Sequence, residues 1–301
     1  MSLQTIAILS PGDMGHAVGL TLANHGFKVI TCLEGRSDRT RALAKIGMFQ
    51  DVSDLDSLVM QADIILSILV PSHAETMAEA VAAALVSTGK KTLYADCNAI
   101  APKTTHCINA IITNTGSKFI DASIIGSPPG RGVAPRIYVS GPEADLMVSL
   151  DKLGLDIKVL GESIGRASAI KMCYAALTKG TSALHLALLT AAEAMGLSQE
   201  LKEEFQYSES DVYRRMEKNL PALPVKAGRW VGEMKEIATA FEDVGVTGYF
   251  HNGAAEIFEL LNTTAFAKET PETLDSERTL QDTIEAIAQR LFYYRHPESE
   301  R

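Results

Sequence analysis

The stretch Thr5-Ile-Ala-Ile-Leu-Ser-Pro-Gly12-Asp-Met-Gly15-His-Ala-Val18 runs from a β-branched apolar segment through a glycine turn into a helical pattern. Such a junction opens a βαβ unit. In a dinucleotide fingerprint, G-x-G-x-x-G, the glycines serve the tight turn, the close approach of a pyrophosphate and the packing of helix on strand. The frame here is Ser10-Pro11-Gly12-Asp13-Met14-Gly15, which keeps the second and third glycines and lacks the first. Pro11 has no N–H and holds Ser10 extended, so the loop offers one donor fewer. Asp13 repels a pyrophosphate unless its carboxylate turns outward. The unpaired N–H groups opening the helix, with its dipole, favour a bound phosphate.

Outward from this turn, short apolar runs alternate with amphipathic ones. Residues 5–9, 28–33, 63–70, 92–96 and 118–122 read as strands, and their near-continuous apolar character suits a parallel sheet buried on both faces. Helices are expected over Met14–His25, Asp38–Ile46, His73–Val86 and Pro102–Asn114, with Gly26 and Gly47 placed for left-handed C-terminal caps. Two further strands, 136–140 and 157–160, flank a helix around Glu143–Leu153. The fold class is therefore α/β, a Rossmann-type doubly wound parallel sheet over residues 1–162. Residues 163–301 read as an all-helical domain, beginning with one long interdomain helix over Ser163–Met195. Further helices follow at 199–219, 226–244, 247–262 and 277–293, and the terminal HPESER is expected to fray.

Lys+Arg 28 against Asp+Glu 37 leaves a net charge of −9, so nucleic acid is excluded as the main partner. The 46% hydrophobic and 22% charged content is ordinary globular usage rather than that of a disordered chain. Cys32, Cys97, Cys107 and Cys173 form no C-x-x-C pair and no Cys/His cluster, which fits free thiols and no metal site. The opening MSLQTIAIL is too short and uncharged for a signal peptide, and the longest apolar candidate, AEAVAAALV, falls short of the roughly 18 residues of a membrane span. These features imply a soluble, cytoplasmic protein that binds no membrane.

Glu34 stands 19 residues beyond Gly15, at the end of the second strand, where an acidic side chain accepts hydrogen bonds from an adenosine ribose and favours NAD. Arg36 and Ser37 beside it suit a 2′-phosphate, and with Arg39 and Arg41 they make a positive cluster in an acidic chain. The cofactor is therefore NADP or NAD, with the balance towards NADP. Arg39 and Arg41 read more simply as the solvated face of the next helix. On the long helix, Ser168, Lys171, Tyr174, Ala175 and Thr178 share a stripe, as residues three, four and seven apart do. On a helix joining two domains, such a stripe is expected to line a ligand cleft.

Taken together, these segments resemble the β-hydroxyacid dehydrogenases related to 6-phosphogluconate dehydrogenase. Gly12-Asp-Met-Gly15 is similar to that family's G-x-G-x-M-G, Asp96-Cys-Asn98-Ala-Ile-Ala-Pro102 to its D-x-S-T-x-x-P, and Asp121-Ala-Ser-Ile-Ile-Gly126-Ser127 to its D-A-P-V-S-G-G. Gly165 through Lys171 resembles G-x-G-x-x-x-K, and Lys235-Glu236-Ile-Ala resembles the late K-D-L-x segment. The resemblance implies Lys171 as the catalytic residue and Asn98, Gly126, Ser127, Tyr174 and Lys235 as substrate contacts. Gly12, Asp13, Met14, Gly15, Glu34, Arg36, Ser37, Leu69, Val70, Asn98 and Lys235 are the implied cofactor contacts. Departures concentrate in the substrate segments: Ala175 stands where the family often has Asn, and Asn98-Ala99 where it has Ser-Thr.

The implied chemistry is reversible hydride transfer between a nicotinamide and a small hydroxy acid or its keto counterpart. As hydride leaves, the hydroxyl must lose its proton to a base within hydrogen-bond reach. A lysine serves only if burial or neighbouring positive charge brings its pKa towards neutrality. Two other readings remain: an imine or keto reductase with Tyr174 as proton donor, and a sensor that binds the dinucleotide without catalysis. Arg131, in Ser-Pro-Pro-Gly-Arg-Gly, either reads a substrate carboxylate or is a solvated loop residue. Asn98 either meets substrate or caps the helix after it. Cys97 and Cys173 are expected as small apolar fillers, and Lys179 as a binding aid. The stripes Ile237/Phe241/Val244 and Ile257/Leu260/Leu261, with the resemblance, imply a homodimer through the helical domain.

Overall fold

The computed structural model describes residues 3–295, so the terminal HPESER lies outside the described residues. The chain divides into two compact units, with the boundary between Met172 and Cys173.

The first unit is an eight-stranded sheet whose elements run β1 (Thr5–Ile8), α1 (Asp13–Asn24), β2 (Lys28–Cys32), α2 (Asp38–Ile46), β3 (Gln50–Val52), α3 (Leu55–Gln61), β4 (Ile64–Ser67), α4 (Ala74–Thr88), β5 (Leu93–Asp96), α5 (Pro102–Thr113), β6 (Phe119–Ile125), β7 (Arg136–Ser140) and β8 (Asp156–Val159). Strand order is β3-β2-β1-β4-β5-β6-β7-β8. Order reverses beside β1, which is where open α/β sheets bind ligands beyond their strand ends. The alternation along β1 explains the two cores. Ile6 and Ile8 join one apolar layer with Val18 and Leu22 of α1, while Ala7 joins the other with Leu58, Val81, Leu85 and Ile108 of α3, α4 and α5.

Three departures from expectation have physical reasons. The sheet is not wholly parallel, because β7 pairs antiparallel with β6, Ser123 lying opposite Tyr138. Only ten residues separate Ile125 from Arg136, too few for the dozen or more that a parallel crossover needs. The segment expected as a helix around Glu143–Leu153 is a 3-10 stretch, Ala144–Leu150. Gly26 has the expected positive φ (+90°), but Gly47 is right-handed and the left-handed residue is Met48 at φ 58°. Gly47 is small for another reason: a Cβ there would lie 2.6 Å from the Phe49 ring.

α6 (Arg166–Met195) begins in the first unit and continues into the second, followed by α7 (Ser198–Ser208), α8 (Ser210–Asn219), α9 (Pro224–Glu242), α10 (Tyr249–Asn262) and α11 (Leu280–Arg295). Leu186, Met216, Leu220, Met234, Ile237, Phe258, Leu261 and Ile284 are buried in this helical unit. Ile237, Leu260 and Leu261 therefore belong to the core of a single chain, so they are not the surplus apolar surface that the sequence stripes suggested. Among the described residues, no helix is long and apolar enough to cross a membrane.

Candidate functional site

The β1–α1 turn is folded around its own glycines. A Cβ on Gly15 would sit 2.5 Å from the Ser10 carbonyl oxygen, so this position must stay bare for α1 to pack on β1. The Cβ position of Gly12 faces open space, with no atom within 4 Å. That leaves room above the turn for a phosphate to approach the backbone, as a dinucleotide requires. The donors are few, since Pro11 has none and the Gly12 N–H is given to Ser10 O at 2.8 Å. What remains is the first turn of α1, which has no side-chain cap. Met14 packs on the core beneath it. The Asp13 carboxylate is turned aside to the Arg39 guanidinium at 2.5 Å, each side chain about one-third exposed (32% and 33%).

Beyond β2, Glu34 is exposed and Gly35 turns the chain at φ +67°. Arg36 donates from Nη2 to Leu9 O at 3.3 Å, across the tip of β1. Ser37 is the N-cap of α2, its hydroxyl accepting from Thr40 N at 3.2 Å. Arg39 and Arg41 are not simply a solvated helix face. Arg39 holds Asp13, and Arg41 donates to Leu33 O at 2.6 Å and Arg36 O at 3.3 Å, fixing the turn that carries Arg36.

At the ends of β4 and β5, Asn98 is 2% exposed and its amide is engaged by the protein. Its Oδ1 accepts from Leu69 N at 2.5 Å, and its Nδ2 donates to Ser67 Oγ (3.0 Å) and Asp96 Oδ2 (3.1 Å). Asn98 therefore ties two strand tips together, and it does not cap α5, whose N-cap is Ala101. Leu69 and Val70 are half-buried, with the Leu69 N–H already given to Asn98 and Val70 O accepting from His73 N at 3.0 Å. Cys97 is buried, and that burial, with the charges of Asp96 and Asp121, pushes its thiol well up, which suits an inert filler. Cys173 is exposed, contrary to the expectation of a filler.

The first turns of α6 are held by a residue the sequence reading left without a role. Asp121, on β6 and wholly buried, accepts at Oδ2 from Ser140 Oγ (2.7 Å), Gly165 N (2.9 Å), Ala167 N (3.0 Å) and Ser168 N (3.2 Å), and at Oδ1 from Ser168 Oγ (2.6 Å). A carboxylate against the N–H groups and positive end of a helix anchors it strongly. Ser168, which also meets Thr105 Oγ1 at 2.7 Å, thus points into the first unit rather than towards a ligand. One turn further, half-buried Lys171 donates from Nζ to Ile124 O at 2.7 Å, at the end of β6. Gly126 follows at φ +130°, with Ser127 and Arg131 exposed on the loop beyond. The signal for Asp121 was present in Asp121-Ala-Ser, but a cap supplied from 44 residues away is a tertiary fact.

In the helical unit, Tyr174 is 49% exposed and Ala175 is buried. Lys179 is buried in an ion pair with Glu233, which also meets Arg229 at 3.2 Å, so its charge is spent within the unit. Lys235 pairs with Glu259 at 2.8 Å near the surface.

Comparison with known proteins bears on the family and the fold. Residues 5–153 match the NAD binding domain of 6-phosphogluconate dehydrogenase, and residues 192–261 match a domain of unknown function, DUF1932. An uncharacterized 28.5 kDa protein of Methanothermus fervidus is 33% identical over 184 residues, covering 60% of this chain and 68% of the relative. The conserved protein MTH1747, of unknown function and described as structurally similar to 3-hydroxyacid dehydrogenases, is 30% identical with a TM-score of 0.61, covering 86% of this chain and 96% of that one. A 3-hydroxyisobutyrate dehydrogenase of Mycobacterium tuberculosis, solved with L-serine, shares the fold at 18% identity and a TM-score of 0.66, covering 94% and 99% of the two chains. The chain belongs to the 6-phosphogluconate dehydrogenase-like family of NAD-binding proteins, and its helical unit carries DUF1932.

Proposed function

We propose that the protein is an NAD(P)-dependent oxidoreductase acting on a small hydroxy acid or its keto counterpart, with Lys171 as general acid and base. The observation that carries this reading is the Lys171 Nζ at 2.7 Å from Ile124 O, half-buried where β6 ends. A surface helix lysine would wave in solvent; this one is aimed and held. When bound, the nicotinamide supplies the hydride acceptor or donor. Ile124 O accepts an Nζ proton and holds the amine at the end of β6. Neutral Lys171 takes the hydroxyl proton as the alcohol is oxidised, and its ammonium returns a proton to the developing alkoxide in the reverse direction. Asp121 acts through α6 by fixing the helix on which Lys171 rides.

Room above Gly12 and the uncapped first turn of α1 suit the pyrophosphate. Arg36 and Ser37 at the β2 tip favour NADP over NAD, in keeping with the positive cluster there. Gly126, Ser127, Tyr174 and Lys235 remain the proposed substrate contacts, while Asn98 supports the strand tips from behind. We also propose a homodimer through the helical unit. Its exposed Leu177, Leu184, Tyr249 and Phe250 surround an apolar groove of 660 Å³. A monomer by light scattering at micromolar concentration would contradict the dimer.

The test is a panel of small hydroxy acids, keto acids and cyclic imines assayed with NADP and NAD in parallel. The account expects oxidation of at least one hydroxy acid, faster with NADP. Tight nucleotide binding without turnover across the panel would favour the sensor reading instead. Turnover of imines alone, lost on Tyr174→Phe and kept on Lys171→Ala, would favour the reductase.

A further inference from the structure

The acidic residue inside the glycine turn is a difficulty for any dinucleotide reading, and the structure contains its remedy. An α-helix presents about half a positive elementary charge at its N-terminus. A full negative charge on Asp13, the first residue of α1, outweighs that and reverses the field where a pyrophosphate would lie. The turn has little else to offer, because Pro11 lacks an N–H and the Gly12 N–H is already bonded to Ser10 O at 2.8 Å. The sign of the local charge therefore decides whether an anion is welcome. Arg39, from the first turn of α2, lies on the Asp13 carboxylate at 2.5 Å. With both charges counted, the helix terminus recovers its positive sign.

We infer that Arg39 is a cofactor-binding determinant that acts through Asp13, cancelling the carboxylate so that α1 can accept a pyrophosphate. It is a positioning residue: its role is to hold and neutralise Asp13, and it needs no contact with the dinucleotide. This inference rests on the dinucleotide reading above and adds a charge requirement to it. Because the pyrophosphate is common to both cofactors, the effect must be the same for NAD and NADP. That separates Arg39 from a group reading the 2′-phosphate, whose loss would weaken NADP alone.

The experiment is a double-mutant cycle on the full chain. Dissociation constants for NAD and NADP are measured by calorimetry for the parent, Arg39→Ala, Asp13→Asn and Asp13→Asn/Arg39→Ala, with melting curves to confirm folding. A unit charge exposed near a phosphate through water is worth about fivefold in affinity. Arg39→Ala is expected to weaken both nucleotides by about that factor. The double variant is expected to bind both within about twofold of Asp13→Asn, because no charge then remains to mask. Arg39→Lys, which keeps the charge with less disturbance, is expected to stay near the parent. Unchanged affinity in Arg39→Ala, a double variant as weak as Arg39→Ala, or a loss confined to NADP would each overturn the inference while leaving the dinucleotide reading intact. A folded parent that binds neither nucleotide would overturn both.

Discussion

Two buried carboxylates, Asp121 in the first unit and Glu233 in the second, are compensated in different ways. Among the described residues Asp121 meets no cation; backbone N–H groups and two serine hydroxyls surround it. Glu233 meets Lys179, itself buried, and Arg229. The first arrangement converts charge into position, since the groups that satisfy Asp121 are the opening residues of α6. The second neutralises charge with charge, and removing both partners together leaves nothing unsatisfied. The difference marks which carboxylate would serve the proposed site: the one whose loss would release the helix bearing Lys171.

The largest expected effects test that contrast. Asp121→Asn keeps one oxygen for the Oδ2 donors but removes the charge they solvate and sets an N–H₂ against Ser168 Oγ, and should lower unfolding free energy by about 3 kcal/mol in urea. Glu233→Gln should cost a similar amount, because Lys179 is left buried without its counter-charge. The two should part on rescue. Lys179→Met combined with Glu233→Leu should recover most of the loss, whereas adding Ser168→Ala to Asp121→Asn should recover little. Equal rescue at both sites would erase the distinction.

A smaller effect is expected at the turn. Gly15→Ala drives a methyl into Ser10 O, and should cost about 1–3 kcal/mol and weaken nucleotide binding. Gly12→Ala meets no protein atom, so it should leave stability nearly unchanged while weakening the nucleotide. If both variants bind nucleotide like the parent, the turn is not where the pyrophosphate lies.

The smallest effect concerns pH. Burial holds the His251 imidazole below its ordinary pKa, so the unfolded chain binds more protons than the folded one in mildly acid solution. The contribution is complete above the unfolded value near 6.5 and declines as pH falls through it. The fall in melting temperature between pH 7.5 and 5.5 should therefore be smaller in His251→Gln than in the parent. An equal fall would show that this histidine titrates alike in both states.

Much of the first unit was legible because its signals are local: apolar runs, a glycine turn and helices of ordinary length. β3 and α3 were missed, and the reason is visible in their composition. Gln50–Val52 is a three-residue edge strand with only Val52 buried, and Leu55–Gln61 is a seven-residue helix too short to show a period. The antiparallel β7 was legible in principle from the short connection after β6. The site was legible as residue types and not as contacts. A motif marks Lys171 as a candidate, but no motif reports that the Asn98 amide is held by Ser67, Leu69 and Asp96. Asp121 holds the start of α6 from 44 or more residues away, and Arg39 meets Asp13 across 26, distances no periodicity reports.

The central claim is that one amine, fixed at the end of β6, moves the proton. Turnover and nucleotide affinity of Lys171→Ala, measured on whichever substrate the parent oxidises, test it most directly. The account predicts a parent-like dissociation constant with turnover reduced by about 10²–10⁴. Turnover equal to the parent's would contradict it.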